Sequence, residues 1–360
     1  MIWFPLASLL PALLVIAGAL FGGIWPWLAL GSMTAWVYSL DRVRAPGLRR
    51  FSENGADRLE LVLGLVHFLV LGLTVLAIAR GNLTTSQSVA LFFASGLFLG
   101  QVSNSNAHEL IHRSGRAERA LGVAVYSSLL FGHHASAHRR VHHVHVATDR
   151  DPNSARKGEG FYHFWPRAWL GSFRAGLKAE TEARQRRSRK GGLHPYVIYV
   201  GGGLLTLVLA FAFGGLAGAL VLLALTAHAQ MQLLLADYIQ HYGLRRLLRD
   251  GKPEPVGPQH SWNAPQWYSS AMMLNAPRHS DHHMHPARRF PDLRLDKQDM
   301  PIWPRSMPVM AAIAMVPPVW RQIMDRRTER WLPNNDAVQT EPATGGSTPS
   351  DLTEFEHDAI

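Results

Sequence analysis

Six stretches of this chain are uncharged or nearly so and long enough to cross a bilayer, which takes roughly 17–25 residues. They run at about Ile2–Gly22, Gly23–Leu40, Leu59–Ala79, Gln87–Asn106, Tyr196–Phe213 and Gly214–Asp237. Two pairs are joined by almost nothing: Phe21-Gly22-Gly23 and Phe213-Gly214-Gly215 read as tight hairpin tops, and the Gly81–Ser86 link is also short. The polar stretches between are dense in Arg and His. A shorter apolar run, Met307–Trp320, contains Pro308, Pro317 and Pro318 and is expected to be re-entrant or to pack on the membrane surface. There is no internal repeat.

Charge orients the spans. Arg42, Arg44, Arg49, Arg50 and Arg58 lie between the second and third; Arg and Lys crowd Arg113 to Lys190; more follow from Arg245. With six spans every basic loop falls on one side, and the excess of positive charge on cytoplasmic loops places both termini and both large loops in the cytoplasm. Trp3, Trp25 and Trp27 sit near the expected interfaces, whereas Trp36 does not. A cleaved leader over the first 22 residues is not expected, because there is no basic start, no clear small-residue cleavage site, and a second apolar span follows at once.

Composition sharpens this picture in three ways. The 360 residues include no cysteine, which excludes disulfides, thiolate zinc and cysteine-ligated iron. The net charge is +10, but Asn334–Ile360 hold six acids and no base, so the remainder carries 36 bases against 20 acids, or +16. That tail reads as a disordered acidic extension. A basic body suits nucleic acid, an anionic membrane surface or an acidic partner, and the apolar runs favour the membrane. Finally, there are 19 histidines.

Nine of them fall in four groups on the cytoplasmic side: His108 and His112; His138, His142 and His143; His241; and His279, His282 and His283. Spacings of i, i+4 are expected to align His108 with His112, and His138 with His142, on single helical faces. Neutral imidazole is a good ligand for iron, copper and zinc. Nine exceed what one zinc uses and suffice for two metals of higher coordination number. The fourth and sixth spans both run toward the cytoplasm, so their ends bring His108, His112 and His241 to one depth. The remaining histidines have plainer expectations. His67, His163, His194, His260 and His357 read as ordinary hydrogen-bonded or solvated rings; His133, His134, His145 and His285 flank the clusters; His228, inside the sixth span, needs a partner or a polar cavity. A rival reading takes His108-Glu109-Leu-Ile-His112 as the HExxH zinc-protease pattern with Glu109 as general base, but it leaves the other seven clustered histidines without a role.

His108-Glu-Leu-Ile-His-Arg113, His138 through His143, Gln240-His-Tyr-Gly-Leu244 and Arg278-His-Ser-Asp-His-His283 together resemble the integral-membrane alkane hydroxylases, within the wider superfamily of membrane fatty-acid desaturases and hydroxylases. Val146-Ala-Thr148, Asp151-Pro152 and Gly158–Tyr162 are similar to that family's connecting segment, and the resemblance covers roughly residues 1 to 330. It implies an all-α membrane protein: six transmembrane helices with a cytoplasmic histidine-rich helical cap, in the cytoplasmic membrane. The expected division is transmembrane helices over 1–106 and 196–237, histidine-bearing cytoplasmic regions over 107–195 and 238–333, and the tail over 334–360. It also implies two non-haem irons held by His108, His112, His138, His142, His143, His241, His279, His282 and His283. O2 is the co-substrate, and terminal hydroxylation of medium or long n-alkanes is the reaction. Electrons come from a rubredoxin with its reductase; with no cysteine here, that rubredoxin is expected to be a separate protein. Aromatic methyl groups or acyl chains are the alternative substrates. Where the family often has Glu before the second cluster and before His-Tyr-Gly, this chain has Ala137 and Gln240. Glu109, Asp237, Gln240 and Asp281 are the expected groups behind the ligands, Asp237 standing four residues before His241 to orient it.

Overall fold

The computed structural model describes residues 2–44, 52–186 and 191–332. The chain is mostly helical, and among the described residues its paired strands are limited to β1 (Leu248–Arg249) and β2 (Lys252–Pro253). The first apolar stretch forms α1 (Trp3–Phe21). Gly22 and Gly23 both take positive φ, 60° and 58°, which glycine adopts without a Cβ penalty, and they turn α1 into α2 (Trp25–Met33) packed beside it. The second stretch is not one helix. Thr34, at φ −125° and ψ −85°, leaves the helical region and separates α2 from α3 (Ala35–Leu40).

Helix α4 (Glu53–Ala79) begins before the expected Leu59, because the Ser52 hydroxyl accepts from the Gly55 amide at 3.2 Å and caps it. The fourth stretch is compound. Thr84 and Gln87 form a reciprocal capping box at the start of α5 (Thr85–Leu97). Residues Phe98–Ser103 then widen into a π-helical turn, and α6 (Asn104–His112) carries on to the first histidines. Gln232 packs into the flank of this widened segment: its Nε2 donates to the Gly96 carbonyl at 2.8 Å and its Oε1 accepts from Gln101 at 3.1 Å.

Beyond α6 the chain folds back as α7 (Arg116–Ser128). It next forms α8 (His134–Ala137), a second π-helical turn (His138–His142) and α9 (His143–His145) in direct succession. Helix α10 (Phe161–Arg186) leads to α11 (Pro195–His241), which takes in both the fifth and sixth expected spans. Gly215 breaks it at φ 61° and ψ −159°. A Cβ added at Gly218 would run into the Ala210 carbonyl oxygen. Residues eight apart in a straight helix lie about 12 Å apart, so the chain doubles back at the expected Phe213-Gly214-Gly215 turn. The last helices are short: α12 (Trp267–Met272), α13 (His279–Met284), α14 (Met307–Ala314) and α15 (Pro317–Thr328). Helix α14 packs against α11 and, at eight residues, does not span.

Among the described residues three helices are long and apolar enough to cross a membrane, α1, α4 and α11. The other expected stretches are interrupted: the second breaks at Thr34, the fourth passes through a π turn, and the fifth and sixth are the two arms of α11, which doubles back at Gly215. Large apolar side chains such as Leu13, Leu65, Leu204 and Phe213 are exposed on the outer faces of these three helices. Arg49, Arg50, Lys190 and the acidic tail lie outside the described residues.

The Gly215 conformation belongs to a region essentially confined to glycine, where another residue costs about 1–3 kcal/mol. Gly215→Val is expected to lower the denaturation midpoint in detergent and the yield of folded protein; an unchanged midpoint would show that the turn tolerates a side chain.

Candidate metal centre

Four stretches of chain deliver nine imidazoles to one end of the bundle: α6, the π turn with α9, the end of α11, and α13. His108, His112, His138, His143 and His282 form one group, and His142, His241, His279 and His283 form a second; within each, one ligand-capable atom per residue lies within 4.8 Å of all the others. The local backbone decides which ring joins which group. In α6 the i, i+4 pair His108 and His112 shares a group, as it does for His279 and His283 in α13. The π turn changes the rule. Its wider winding aligns residues five apart, so His138 Nε2 stands 2.9 Å from His143 Nε2, while His142 is carried to the other group. His138 and His142 remain neighbours as expected, with ring centroids 5.1 Å apart, but the π winding sends their donor nitrogens to different groups.

The donor nitrogens converge. His108 and His138 Nε2 are 2.8 Å apart, His143 and His282 Nε2 3.1 Å, His241 and His279 Nε2 3.0 Å, and His279 and His283 Nε2 3.0 Å. Two nitrogens bound at right angles to one metal at about 2.1 Å would lie about 3.0 Å apart, against about 3.4 Å for tetrahedral sites. The buried Nε2 atoms of His112 and His142 have no hydrogen-bond partner among the described residues, as expected of lone pairs reserved for a metal. The two sets thus fit metals of coordination number above four better than structural zinc.

Burial keeps the rings neutral, the form that coordinates. It lowers His108 to about 3 and, helped by neighbouring rings, holds His112, His138, His143, His279, His282 and His283 well below the ordinary histidine range. His142 is the exception. Burial pulls it down as well, but the Asp151 carboxylate outweighs this and raises it. Asp151 Oδ2 lies 2.8 Å from His142 Nδ1 and accepts from Ser154 Oγ at 2.7 Å, while Oδ1 accepts from the Asn153 amide at 3.0 Å. A carboxylate on Nδ1 fixes the ring so that Nε2 faces the metal position. His241 Nδ1 points to the His260 carbonyl at 3.4 Å, with the same consequence.

The expected supporting groups act differently from their sequence positions. Asp237 accepts from Asn153 Nδ2 at 2.5 Å, so it steadies the Asp151 loop, and its recorded bonds do not include His241. Gln240 Nε2 donates to the Ala276 carbonyl at 3.2 Å, tying the end of α11 to the approach to α13. Asp281 accepts from the Arg294 amide at 2.8 Å, from Arg288 and from His285 Nδ1 at 3.1 Å, and so anchors α13 from outside the rings. Glu109 Oε2 accepts from the Phe290 amide and from Arg113, both at 3.2 Å. Burial pushes its carboxyl up to about 8, with Arg113 offsetting part of the shift. These bonds engage Glu109 in packing, and five rings converge where the protease reading needs three ligands. Asp151 was missed as a partner from sequence: it follows His142 by nine residues, and only the turn between them brings it back.

The other histidines belong to neither group, although His134 lies beside His138 with ring centroids 5.1 Å apart. His67 bonds Ser128 at 2.8 Å, His260 bonds Glu254 at 3.1 Å, and His194 accepts from the Tyr196 amide at the start of α11. His357 lies outside the described residues. A cavity of about 400 Å³ reaches the site, with His108, His138, His279 and His134 at its polar end and Phe93, Leu97, Met231, Leu235, Met307 and Met315 along its walls. His228 lines it too, beside Gln232 and stacked near Phe92.

Long apolar helices ending in two buried polyhistidine groups over an apolar cavity define a membrane-bound, metal-dependent oxidoreductase. Comparison with known proteins agrees. The fatty acid desaturase family profile matches residues 84–312. An alkane 1-monooxygenase 2 of Pseudomonas aeruginosa is 28% identical over 344 residues, 90% of this chain and 89% of its own length. An alkane 1-monooxygenase 1 of Alcanivorax borkumensis is 32% identical over 291 residues, 77% and 69% of the two chains. The xylene/toluene monooxygenase hydroxylase component of Pseudomonas putida is 28% identical over 327 residues, 85% and 83%. The chain belongs to the fatty acid desaturase family, in its alkane 1-monooxygenase branch.

Asp151→Asn keeps the size of the side chain and removes the charge that orients His142. Metal affinity or activity is expected to fall by about 10–100-fold, the usual cost of losing such a partner, read as metal per chain after dialysis against a chelator. Retention equal to the parent would show that His142 needs no carboxylate.

Proposed function

We propose that this chain is a non-haem diiron monooxygenase that hydroxylates the terminal carbon of medium or long n-alkanes to primary alcohols. The observation that carries it is the division of nine imidazoles, six buried and three half-buried, into groups of five and four at the head of an apolar cavity. In this reading His108, His112, His138, His143 and His282 hold one iron, and His142, His241, His279 and His283 the other. The overall reaction places one atom of O2 in a terminal C–H bond and reduces the other to water with two electrons and two protons. The metals, when bound, supply the activation of O2 that an inert C–H bond requires.

The chain's own residues do the rest. Asp151 and the His260 carbonyl hold His142 and His241 in the tautomer that presents Nε2. Asp281 and Gln240 brace α13 and the end of α11, which bring ligands to both groups. The cavity walls are largely apolar and remove the alkane from water, with polar groups such as Gln101, Asn104 and Gln232 among them, so selection rests mainly on shape. Apolar pockets discriminate only about 10–200-fold per methylene, which favours a broad chain-length range. Aromatic methyl groups are the second reading, supported by likeness to the xylene/toluene enzyme component.

The same reading takes the chain across the membrane six times, with transmembrane helices over 1–106 and 196–237. Both termini and the histidine-bearing regions 107–195 and 238–333 lie in the cytoplasm. Electrons come from a separate rubredoxin, and the +16 body suits an acidic donor.

Three outcomes test this. Purified protein with about two irons per chain is expected to convert octane to 1-octanol with reduced rubredoxin. One zinc and no oxygen-dependent product would overturn the reading, and xylene oxidation without octane oxidation would select the second. His142→Ala, His241→Ala and His282→Ala should each abolish turnover and lower iron content, and near-normal activity in any of them removes that ring from its group. The rate constant for donor association should fall as salt rises from low to physiological concentration; a flat dependence would exclude electrostatic docking.

A further inference from the structure

A second cavity, of about 1400 Å³, lies between α4, α7 and the first half of α11. No member of either histidine group lines it. Its length is apolar, with Val75, Leu205, Leu209 and Phe213 among its walls, and the last three are 46–65% exposed, so the trough opens sideways to the surroundings of the bundle. One end is strongly basic: Arg116 and Arg119 come from α7, Arg139 and Arg140 from the π turn.

These charges are under-compensated. Glu180 is the acid in the lining, and it is engaged by Arg140 Nε at 2.6 Å and Ser136 Oγ at 2.7 Å. Arg119 donates to the carbonyls of Arg113, at 2.7 Å, and Ser114. Among the described residues Arg116 and Arg139 make no recorded hydrogen bond or ion pair.

We propose that this trough binds a glycerophospholipid with an anionic headgroup, its acyl chains along α4 and α11 and its phosphate between Arg116 and Arg139. An alkane has no use for four guanidinium groups, and a free anion has none for the apolar length. A basic end joined to an apolar, laterally open trough matches a lipid in both charge and polarity. The phosphate would join α7 to the π turn that carries His138 and His142 and relieve the repulsion between their arginines. Gly72 lies on the floor, where an added Cβ meets nothing within 4 Å, so a larger side chain there occupies the trough and not the helix packing.

The test uses the full chain purified in mild detergent, delipidated, then titrated with phosphatidylglycerol, phosphatidylcholine or oleate and read by native mass spectrometry. The parent protein should hold about one phosphatidylglycerol per chain in preference to the other two. Arg116→Gln/Arg139→Gln should bind it roughly 30-fold more weakly, the loss expected for two surface cations. Gly72→Leu should displace it with the arginines intact. Phosphatidylglycerol should raise the thermal midpoint of the parent and of neither variant. Metal content and helicity equal to the parent's certify that the variants fold. Equal binding of phosphatidylcholine, preference for oleate, or unchanged phosphatidylglycerol affinity in both variants overturns the proposal. Unchanged lipid binding with weakened donor docking would assign the arginines to an acidic protein instead.

Discussion

Everything at the head of this bundle depends on holding nine imidazoles close together and largely out of water, with all but His142 favoured in the neutral form. Protonated rings at these separations would repel one another strongly in a medium of low dielectric. Solvated rings would spend their lone pairs on water. Burial solves both difficulties at once, since desolvation favours the neutral form. It also creates one, because a buried nitrogen without a partner is costly. The Nε2 atoms of His112 and His142 carry part of that cost, as do the Nδ1 atoms of His138, His282 and His283, and a coordinated metal would relieve the first two.

The carboxylates are placed in keeping with this constraint. Asp151 touches a ring at Nδ1 and leaves Nε2 to the centre of the group. Glu109 and Asp281, although inside the histidine motifs, turn to backbone amides and arginines and hold helices in place. The carboxyl groups thus surround the rings without occupying the convergence points, and the nitrogen-only character of both groups is preserved.

Much of this was legible in the sequence, because its signals are local. Uncharged runs located α1, α4 and both halves of α11, and glycine pairs located their turns. The nine clustered histidines converge in two groups, and of the flanking ones His134 lies beside His138. What was not legible depends on backbone departures that leave no composition signal. Nothing in His138-Arg-Arg-Val-His142 announces a π turn, so the division of its two rings between the groups had no signal in the sequence. Thr34 breaks the second apolar stretch without a proline or glycine at the break. Asp237 was read along its helix toward His241, whereas tertiary packing turned it across to Asn153. Asp151 was quoted only as part of a connecting segment, because its contact with His142 needs the chain to loop back.

Helix α13 is six residues long and yet contributes to both groups, His282 to one and His279 with His283 to the other. Neither group is complete without it. In the proposed diiron reading, a metal held at one group would fix α13 and lower the ordering cost of filling the second, so the two would fill cooperatively. Half-loaded protein would then be scarce, which would limit the time a lone redox metal spends exposed to O2 beside its own ligands.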